Sequence, residues 1–246
     1  MRVKDFLFKE PLQEGILVER RNRFIVDVKI KGEIHTCHCP STGKIGNFDL
    51  RGRPCLLSKS DNPNRKTAYT VEALSFNKVE DSYKSWIGIN QNAINRYVEY
   101  YLSHGAFEDM VGELSQVMRE QTLGNAKIDF RVGDVFIEVK MPLWRIDMEV
   151  PDYISTHDNG IFNSHERLLK HLNAFSSFLK GNQKAILLFC YMYDHSGVRI
   201  NRKNPRYRKI KRMLERGTIG GMEQWQANFK ITERGVRLTR YFQILE

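Results

Sequence analysis

A nearly continuous apolar run at residues 184–193 constrains the fold of this chain more than any other segment. Its first residue is lysine, and every residue after it is apolar or aromatic. Because a strand with one wet face alternates polar and apolar side chains, this run predicts a strand buried on both faces. The run is also far shorter than the roughly 20 residues that a membrane helix needs. We therefore expect no association with a membrane.

Helical spacing of apolar residues precedes this strand. Residues 95–102 and 107–118 show it, and a third helix is predicted at about 164–180, where Asn163 and Glu166 form a capping box. Between the second and third helices lie two short strands. The second half of the chain therefore predicts helices layered against a sheet, an α/β arrangement.

Short strands dominate the first part of the chain. They are predicted at residues 24–30, 34–39, 55–59 and 69–74. Lys31-Gly32 forms the turn between the first two. This spacing suggests a small barrel, of which an OB-like barrel is one option. The boundary with the second half is expected near residues 86–92, where no flexible linker is evident.

The segment 127–140 is the most informative for chemistry. Gly133-Asp134 suits a two-residue hairpin turn with glycine in the first position. The register then runs outward from the turn and pairs Val132 with Val135, Phe130 with Ile137, Asp129 with Glu138 and Lys127 with Lys140. Side chains that are directly opposed share one face of a hairpin. The pattern therefore places two carboxylates beside each other.

Asp129, Glu138 and Lys140 form a candidate metal site. Neighbouring carboxylates repel unless a cation lies between them, and Mg²⁺ binds one or two carboxylates while keeping water and phosphate oxygens as its other ligands. A lysine beside the metal can position the attacking water or balance negative charge. Spacing alone leaves another interpretation open. The hairpin can simply have a dry face and a charged, solvated face.

The charge of the chain favours a polyanionic partner. Lysine and arginine number 39 against 29 acidic residues, a formal net charge of +10. Basic proteins gain affinity for nucleic acids by releasing condensed counterions. Residues 199–216 contain nine basic side chains and one acid. This segment is either a phosphate-contacting patch or a solvated helix face and loop.

The four cysteines are typical of a reducing compartment. We expect a cytoplasmic protein, since residues 1–10 also lack the apolar core of a signal peptide. His35, Cys37, His38 and Cys39 lack the spacing of a zinc site and a second ligand pair. No zinc is therefore expected.

Four stretches between about residue 17 and residue 193 resemble the sugar fermentation stimulation protein A family. Their order and spacing are more specific than any one of them alone. They are Arg20-Arg21-Asn22-Arg23-Phe24 with Asp27; His38-Cys39-Pro40-Ser41-Thr42-Gly43; residues 60–66 followed by Tyr69-Thr70; and Glu120, Asp129, Glu138 and Lys140 followed by Arg167 and His171.

This resemblance implies an OB-like, DNA-binding barrel at residues 1–86 and a PD-(D/E)XK nuclease-like α/β domain with a central mixed sheet at residues 87–246. It further implies that Asp129 and Glu138 hold Mg²⁺ or Mn²⁺. The implied catalytic residues are Glu120, on a helix, Asp129, Glu138, Lys140, Arg167 and His171. The implied phosphate-contacting residues are Arg20, Arg21, Arg23, Arg65 and Lys66.

Some of these assignments keep ordinary alternatives. Arg167 and His171, four residues apart on one helix, either face the site or lie on a polar helix surface. The basic residues of the barrel loops either contact phosphate or are solvated. The family's Phe-Pro-Asp-Ala stretch before the arginine is replaced here by Gly160-Ile161-Phe162-Asn163, so an acid is missing or displaced to Asp158.

Two functions remain after this comparison. One is a metal-dependent deoxyribonuclease, and the other is a non-catalytic DNA-binding or regulatory protein that keeps the nuclease fold. A sugar-metabolising enzyme has no support, since the chain has no glycine-rich nucleotide loop. The sequence leaves the strandedness of the DNA and the oligomeric state open, a homodimer included.

Overall fold

The computed structural model describes residues 3–41, 43–113, 115–144, 146–157, 174–175, 177, 179, 183–197 and 222–244. These residues form two sheets, two complete helices and a few helical residues at 174–177. The first sheet contains β2 (Gln13–Arg20), β3 (Ile25–Ile30), β4 (Glu33–His38), β5 (Pro54–Lys59), β6 (Tyr69–Ser75) and β7 (Trp86–Gly88). The second contains β1 (Phe6–Leu7), β8 (Val117–Leu123), β9 (Ala126–Val132), β10 (Val135–Lys140), β11 (Lys184–Tyr191), β12 (Met222–Ile231) and β13 (Gly235–Gln243). The helices are α1 (Ile94–Ser103) and α2 (Glu108–Val111).

The first sheet closes into a five-stranded, OB-like barrel. Its strands follow the order β4-β3-β2-β5-β6, and β4 pairs with β6 in parallel at His38 and Thr70 to close the ring. The turn between β3 and β4 is the predicted Lys31-Gly32, and both residues have positive φ, 49° and 96°. The four predicted strands are confirmed, and β2 completes the barrel. Its interior is apolar, with Val28, Cys37, Leu56 and Val71 almost fully buried.

The second sheet is mixed, as predicted. Its order is β1-β13-β12-β11-β10-β9-β8, and the three central strands β10, β11 and β12 are parallel. β11 lies between two parallel neighbours, and its residues from Ala185 to Leu188 are fully buried. The apolar run that opened the sequence analysis therefore forms the centre of the sheet.

The predicted helix at residues 107–118 is wrong. Only Glu108–Val111 is helical, because Gly112 follows with a φ of 79° that ends the helix. Val117–Leu123 instead pairs with β9 along its length as an edge strand. Local sequence favoured the helix, but pairing with the hairpin determined the structure.

The third predicted helix, with its capping residues, lies mostly outside the described residues. Within that stretch Ala174, Phe175 and Ser177 are helical, and Phe175 is buried in an apolar cluster with Phe136 and Leu187. β12 and β13 were not predicted as strands. Neither described helix has the length and apolar composition needed to cross a bilayer.

Main-chain hydrogen bonds join the barrel to the second sheet. Gly88 donates its N–H to the Met192 carbonyl at 3.0 Å, and Gly46 donates to Leu143 at 2.7 Å. A Cβ at position 88 would approach the Met192 Cβ to 2.5 Å, so the close approach requires glycine. β1, near the N-terminus, pairs with β13 of the second sheet. The domain limits at residue 86 stay a prediction.

Candidate functional site

The β9–β10 hairpin places the acidic residues. Gly133 has a φ of 55°, as a turn with glycine first requires. Main-chain pairing joins Val132 to Val135 and Phe130 to Ile137, which confirms the predicted register next to the turn. Side chains alternate along β10, so Glu138 and Lys140 lie on the same face of that strand.

The pairing ends earlier than the sequence predicted. Beyond Phe130 and Ile137 no further β9–β10 pair forms, although β10 continues to pair with β11 as far as Lys140. The Val139 N–H instead donates to Oδ2 of Asp129 at 2.8 Å. The predicted pairs Asp129–Glu138 and Lys127–Lys140 are therefore absent from the ladder, because the Asp129 side chain replaces a main-chain acceptor.

Glu138 is a buried acid with a cationic partner. Its side chain is 1% exposed, and the Lys140 Nζ donates to its Oε1. Lys140 keeps 26% of its side chain exposed and so reaches from the buried carboxylate to solvent. A buried charge is costly unless it is paired and hydrogen-bonded. Lys140 supplies that pairing on the accessible side of the site.

Asp129 is held at both carboxylate oxygens. The Asn95 Nδ2 in α1 donates to Oδ1 at 2.8 Å, while the Val139 N–H donates to Oδ2. Burial, and then the charge of Glu138, raises the pKa of Asp129, although these two hydrogen bonds and Lys140 act in the opposite direction. Two acids thus share a partly buried space. Such raised carboxyl pKa values are typical of functional sites.

These groups fit an oxygen-binding divalent cation with open coordination. Proteins commonly bind Mg²⁺ with one or two carboxylates, and water and phosphate oxygens complete the coordination shell. In the part of the chain that the structure describes, no three His, Cys, Asp or Glu side chains are grouped so that they could hold a metal alone. Among the described residues, the two carboxylates therefore offer an open site, in which other ligands would complete the coordination shell.

A second candidate surface lies at one end of the barrel, on the turn between β2 and β3. The Arg20 Nη2 donates to the carbonyls of Ser41 at 2.8 Å, Gly43 at 3.0 Å and Arg23 at 3.1 Å. These three bonds hold the neighbouring loop in place. The phosphate contact predicted for Arg20 stays a prediction. The Arg21 Nε binds Oδ2 of Asp27 at 2.6 Å.

The loop between β5 and β6 reaches the same end of the barrel. It carries Arg65 and Lys66, both exposed. Burial lowers the pKa of His38, the charge of Arg65 lowers it further, and a hydrogen bond to the Phe24 carbonyl raises it. His38 therefore lies between the two loops. The structure brings Arg23, Arg65 and Lys66 to one end of the barrel.

Comparison with known proteins identifies the relatives of this chain. Residues 18–89 match the model of the SfsA N-terminal OB domain. A sugar fermentation stimulation protein homolog from Synechococcus elongatus is 31% identical over 92% of each chain, and one from Nostoc punctiforme is 31% identical over 95% of each chain. The chain belongs to the sugar fermentation stimulation protein family.

A solved structure within this family shares the fold. The Pyrococcus furiosus SfsA, determined in complex with Ca²⁺, superposes with a TM-score of 0.74 over 98% of both chains, at 18% identity. This similarity confirms the architecture, an OB-like barrel followed by a mixed sheet. The family resemblance inferred from the sequence is also confirmed.

Glu120 is not on a helix in this family member, so that expectation is wrong. It lies in the edge strand β8 with a φ of 51°, and its exposed carboxylate binds the Lys127 Nζ at 3.0 Å. The Lys127 hydrogen bond and charge lower the pKa of Glu120. Its predicted catalytic role is untested.

Three other predicted features lie outside the described residues. They are Arg167 and His171, the displaced acid Asp158 and the basic segment 199–216. Sequence reasoning missed Asn95, which contacts Asp129 across 34 positions of the chain. A polar residue on an amphipathic helix carries no sequence signal of such a contact.

Proposed function

We propose that this chain binds DNA and hydrolyses its phosphodiester bonds with Mg²⁺ or Mn²⁺ held by Asp129 and Glu138. The observation that carries the proposal is the pair of carboxylates: Asp129, which is half-buried and accepts hydrogen bonds from Asn95 and Val139, and Glu138, which is buried and paired with Lys140. The Ca²⁺ in the related Pyrococcus furiosus structure supports an oxygen-binding divalent cation.

Each residue has a distinct role in the proposed reaction. A bound divalent cation lowers the pKa of a coordinated water and polarises the phosphate. Asp129 and Glu138 supply the anionic oxygens that hold the cation, and Asn95 orients the first of them. The Lys140 ammonium group, which reaches solvent from Glu138, stabilises the negative charge that develops on the phosphate.

The test is a cleavage assay on single- and double-stranded DNA with each metal and with EDTA. Asp129→Ala and Glu138→Ala should each abolish metal-dependent cleavage. Asp134→Asn is the matched control, because Asp134 is an exposed acid in the turn of the same hairpin. Cleavage that persists unchanged in both alanine variants would show that the site is elsewhere.

A second candidate function is DNA binding without catalysis. It is favoured by the net charge of +10 and by the replacement of the family's Phe-Pro-Asp-Ala stretch before Arg167. In that case the purified protein binds DNA with an affinity that falls steeply with salt, but it cleaves no strand with any metal. Metal-dependent cleavage by wild type that is lost in Asp129→Ala excludes this candidate.

A further inference from the structure

An exposed aromatic ring, that of Phe24, lies beside Arg23 on the connection between β2 and β3. Phe24 follows the turn that connects β2 to β3, and 46% of it is exposed. The Arg23 guanidinium lies 5.9 Å from the centre of this ring. A single exposed apolar side chain is ordinary, so the inference depends on where Phe24 lies and how firmly it is held.

The turn that carries Phe24 is fixed by hydrogen bonds. Oδ1 of Asn22 accepts the N–H groups of Phe24 at 2.8 Å and Ile25 at 3.0 Å. The Phe24 carbonyl accepts the Cys39 N–H at 2.7 Å. Arg20 also donates to the Arg23 carbonyl, as described above. The ring is thus presented by an ordered backbone, and binding a ligand requires little further ordering of the turn.

The position of the turn in the barrel is the second observation. Counting the barrel strands from β2, Phe24 lies on the connection between the first and second strands, and Arg65 and Lys66 lie on that between the fourth and fifth. OB barrels bind oligonucleotides with these two connections and the adjacent strand face. Ile25, the residue after Phe24, pairs with His38 of β4, and His38 pairs with Thr70 at the start of β6, so the two connections lie side by side.

The ligand that fits an exposed ring beside cations is an unpaired strand. The bases of a duplex stack on one another and offer only their edges, whereas an unpaired base offers its face to an aromatic side chain. The neighbouring cations neutralise the backbone phosphates. We propose that Phe24 stacks on an unpaired base and that the barrel selects single-stranded DNA. This proposal rests on the DNA binding proposed above.

The experiment measures fluorescence anisotropy with three probes of about 15 nucleotides, near the upper site size of one barrel. The probes are a single strand, a strand of the same length with abasic sites throughout, and a duplex. Wild type should bind the ordinary strand about 5- to 150-fold more tightly than the abasic strand, the range expected for one stacked base. It should also prefer the single strand to the duplex.

The variants separate stacking from charge. Phe24→Ala should lose the preference for the ordinary strand and keep the affinity for the abasic strand, whereas Phe24→Trp should retain the preference. Ile34→Ala is the matched control, since Ile34 is 64% exposed and lies beside the Lys31-Gly32 turn at the other end of the β3–β4 hairpin. It should bind all three probes as wild type does.

Two kinds of failure are distinguishable. If wild type binds the strands but Phe24→Ala keeps the full preference, or if wild type prefers the duplex, the stacking proposal is overturned while DNA binding stands. If wild type binds none of the probes, the DNA binding proposed above fails, and the stacking proposal fails with it. Unchanged thermal unfolding of Phe24→Ala shows that a lost preference does not reflect a lost fold.

Discussion

At the scale of residues, the two acids of the candidate site differ in their burial and in their hydrogen-bond partners. Glu138 is fully buried and keeps its partner Lys140 on the same strand, whereas Asp129 lies between an asparagine and a backbone N–H. Asp129 therefore has both oxygens oriented before any cation binds. Hydrogen bonds of this kind from outside the coordination shell orient metal ligands and tune their affinity.

Removing the Asn95 amide should weaken metal binding. In Asn95→Ala the Oδ1 of Asp129 loses its donor, so the carboxylate is free to rotate away from the cation. We expect the Mn²⁺ affinity, measured by isothermal titration calorimetry, to fall about 10- to 100-fold. Asn92→Ala is the control, because Asn92 is exposed one turn earlier. Equal affinities in wild type and Asn95→Ala would remove Asn95 from the site.

The raised pKa of Asp129 predicts a pH-dependent cost in stability. A carboxyl whose pKa is higher in the folded than in the unfolded state stabilises the fold when protonated, and this contribution is lost as pH rises from the unfolded value, about 3.9, through the folded value. In EDTA, the unfolding temperature of wild type relative to that of Asp129→Asn should therefore fall as the pH rises from about 4 towards neutral. A constant offset between the two proteins is expected as well, because the asparagine amide can accept only one of the two hydrogen bonds that the carboxylate accepts.

A bound metal should offset this pH-dependent loss of stability in wild type. Added Mg²⁺ stabilises only the protein that binds it, so it should raise the unfolding temperature of wild type and leave that of Asp129→Asn unchanged. Calorimetry across pH, with and without metal, measures both effects. A difference between the two proteins in EDTA that stays the same from about pH 4 to neutral pH contradicts the burial cost described here.

At the scale of elements, the β9–β10 hairpin and β11 beside it were predictable, whereas β8 on the other side of the hairpin was not. Gly133 at the turn and the strict alternation of apolar residues specify the register locally. β8 and α2 were mispredicted because residues 107–118 have helical spacing, while β8 is stabilised by pairing with β9. The sequence could place Asp129, Glu138 and Lys140 close together because one hairpin carries them. Asn95 was missed because its contact is made only by tertiary packing.

The turn of this hairpin gives a prediction about stability. Gly133 has a φ of 55°, which β-branched residues rarely adopt. Gly133→Val should destabilise the protein by about 1–2 kcal/mol, measured by urea unfolding. Gly133→Asn should cost less, since asparagine tolerates this conformation. Equal losses in the two variants would show that backbone strain is not the cause.

At the scale of the whole molecule, two features are relevant to DNA binding: the hydrogen bonds that join the barrel to the second sheet, and the net positive charge. The Gly88–Met192 and Gly46–Leu143 hydrogen bonds fix the barrel to the sheet that carries the acids. Under the proposed function, a DNA strand bound at the barrel would be held near the sheet that carries Asp129 and Glu138. The net charge of +10 adds long-range attraction for such a strand.

The loop between β5 and β6, which carries Arg65 and Lys66, should contribute to the salt dependence of DNA binding. Arg65→Ala and Lys66→Ala should each weaken DNA binding and reduce the slope of log affinity against log salt by about 1, because each removes one phosphate contact. Lys29→Gln is the control, since Lys29 is exposed in β3 near the opposite end of the β3–β4 hairpin. A slope that is the same in all four proteins would place the phosphate contacts elsewhere.

The most direct measurement is anomalous diffraction from crystals soaked with Mn²⁺. The proposed function predicts a strong anomalous peak between Asp129 and Glu138, at about 2.0–2.2 Å from a carboxylate oxygen of each. The peak should disappear in Asp129→Ala crystals soaked in the same way. Fully soaked wild-type crystals with no peak between these two carboxylates, or with peaks only at other sites, would contradict the account.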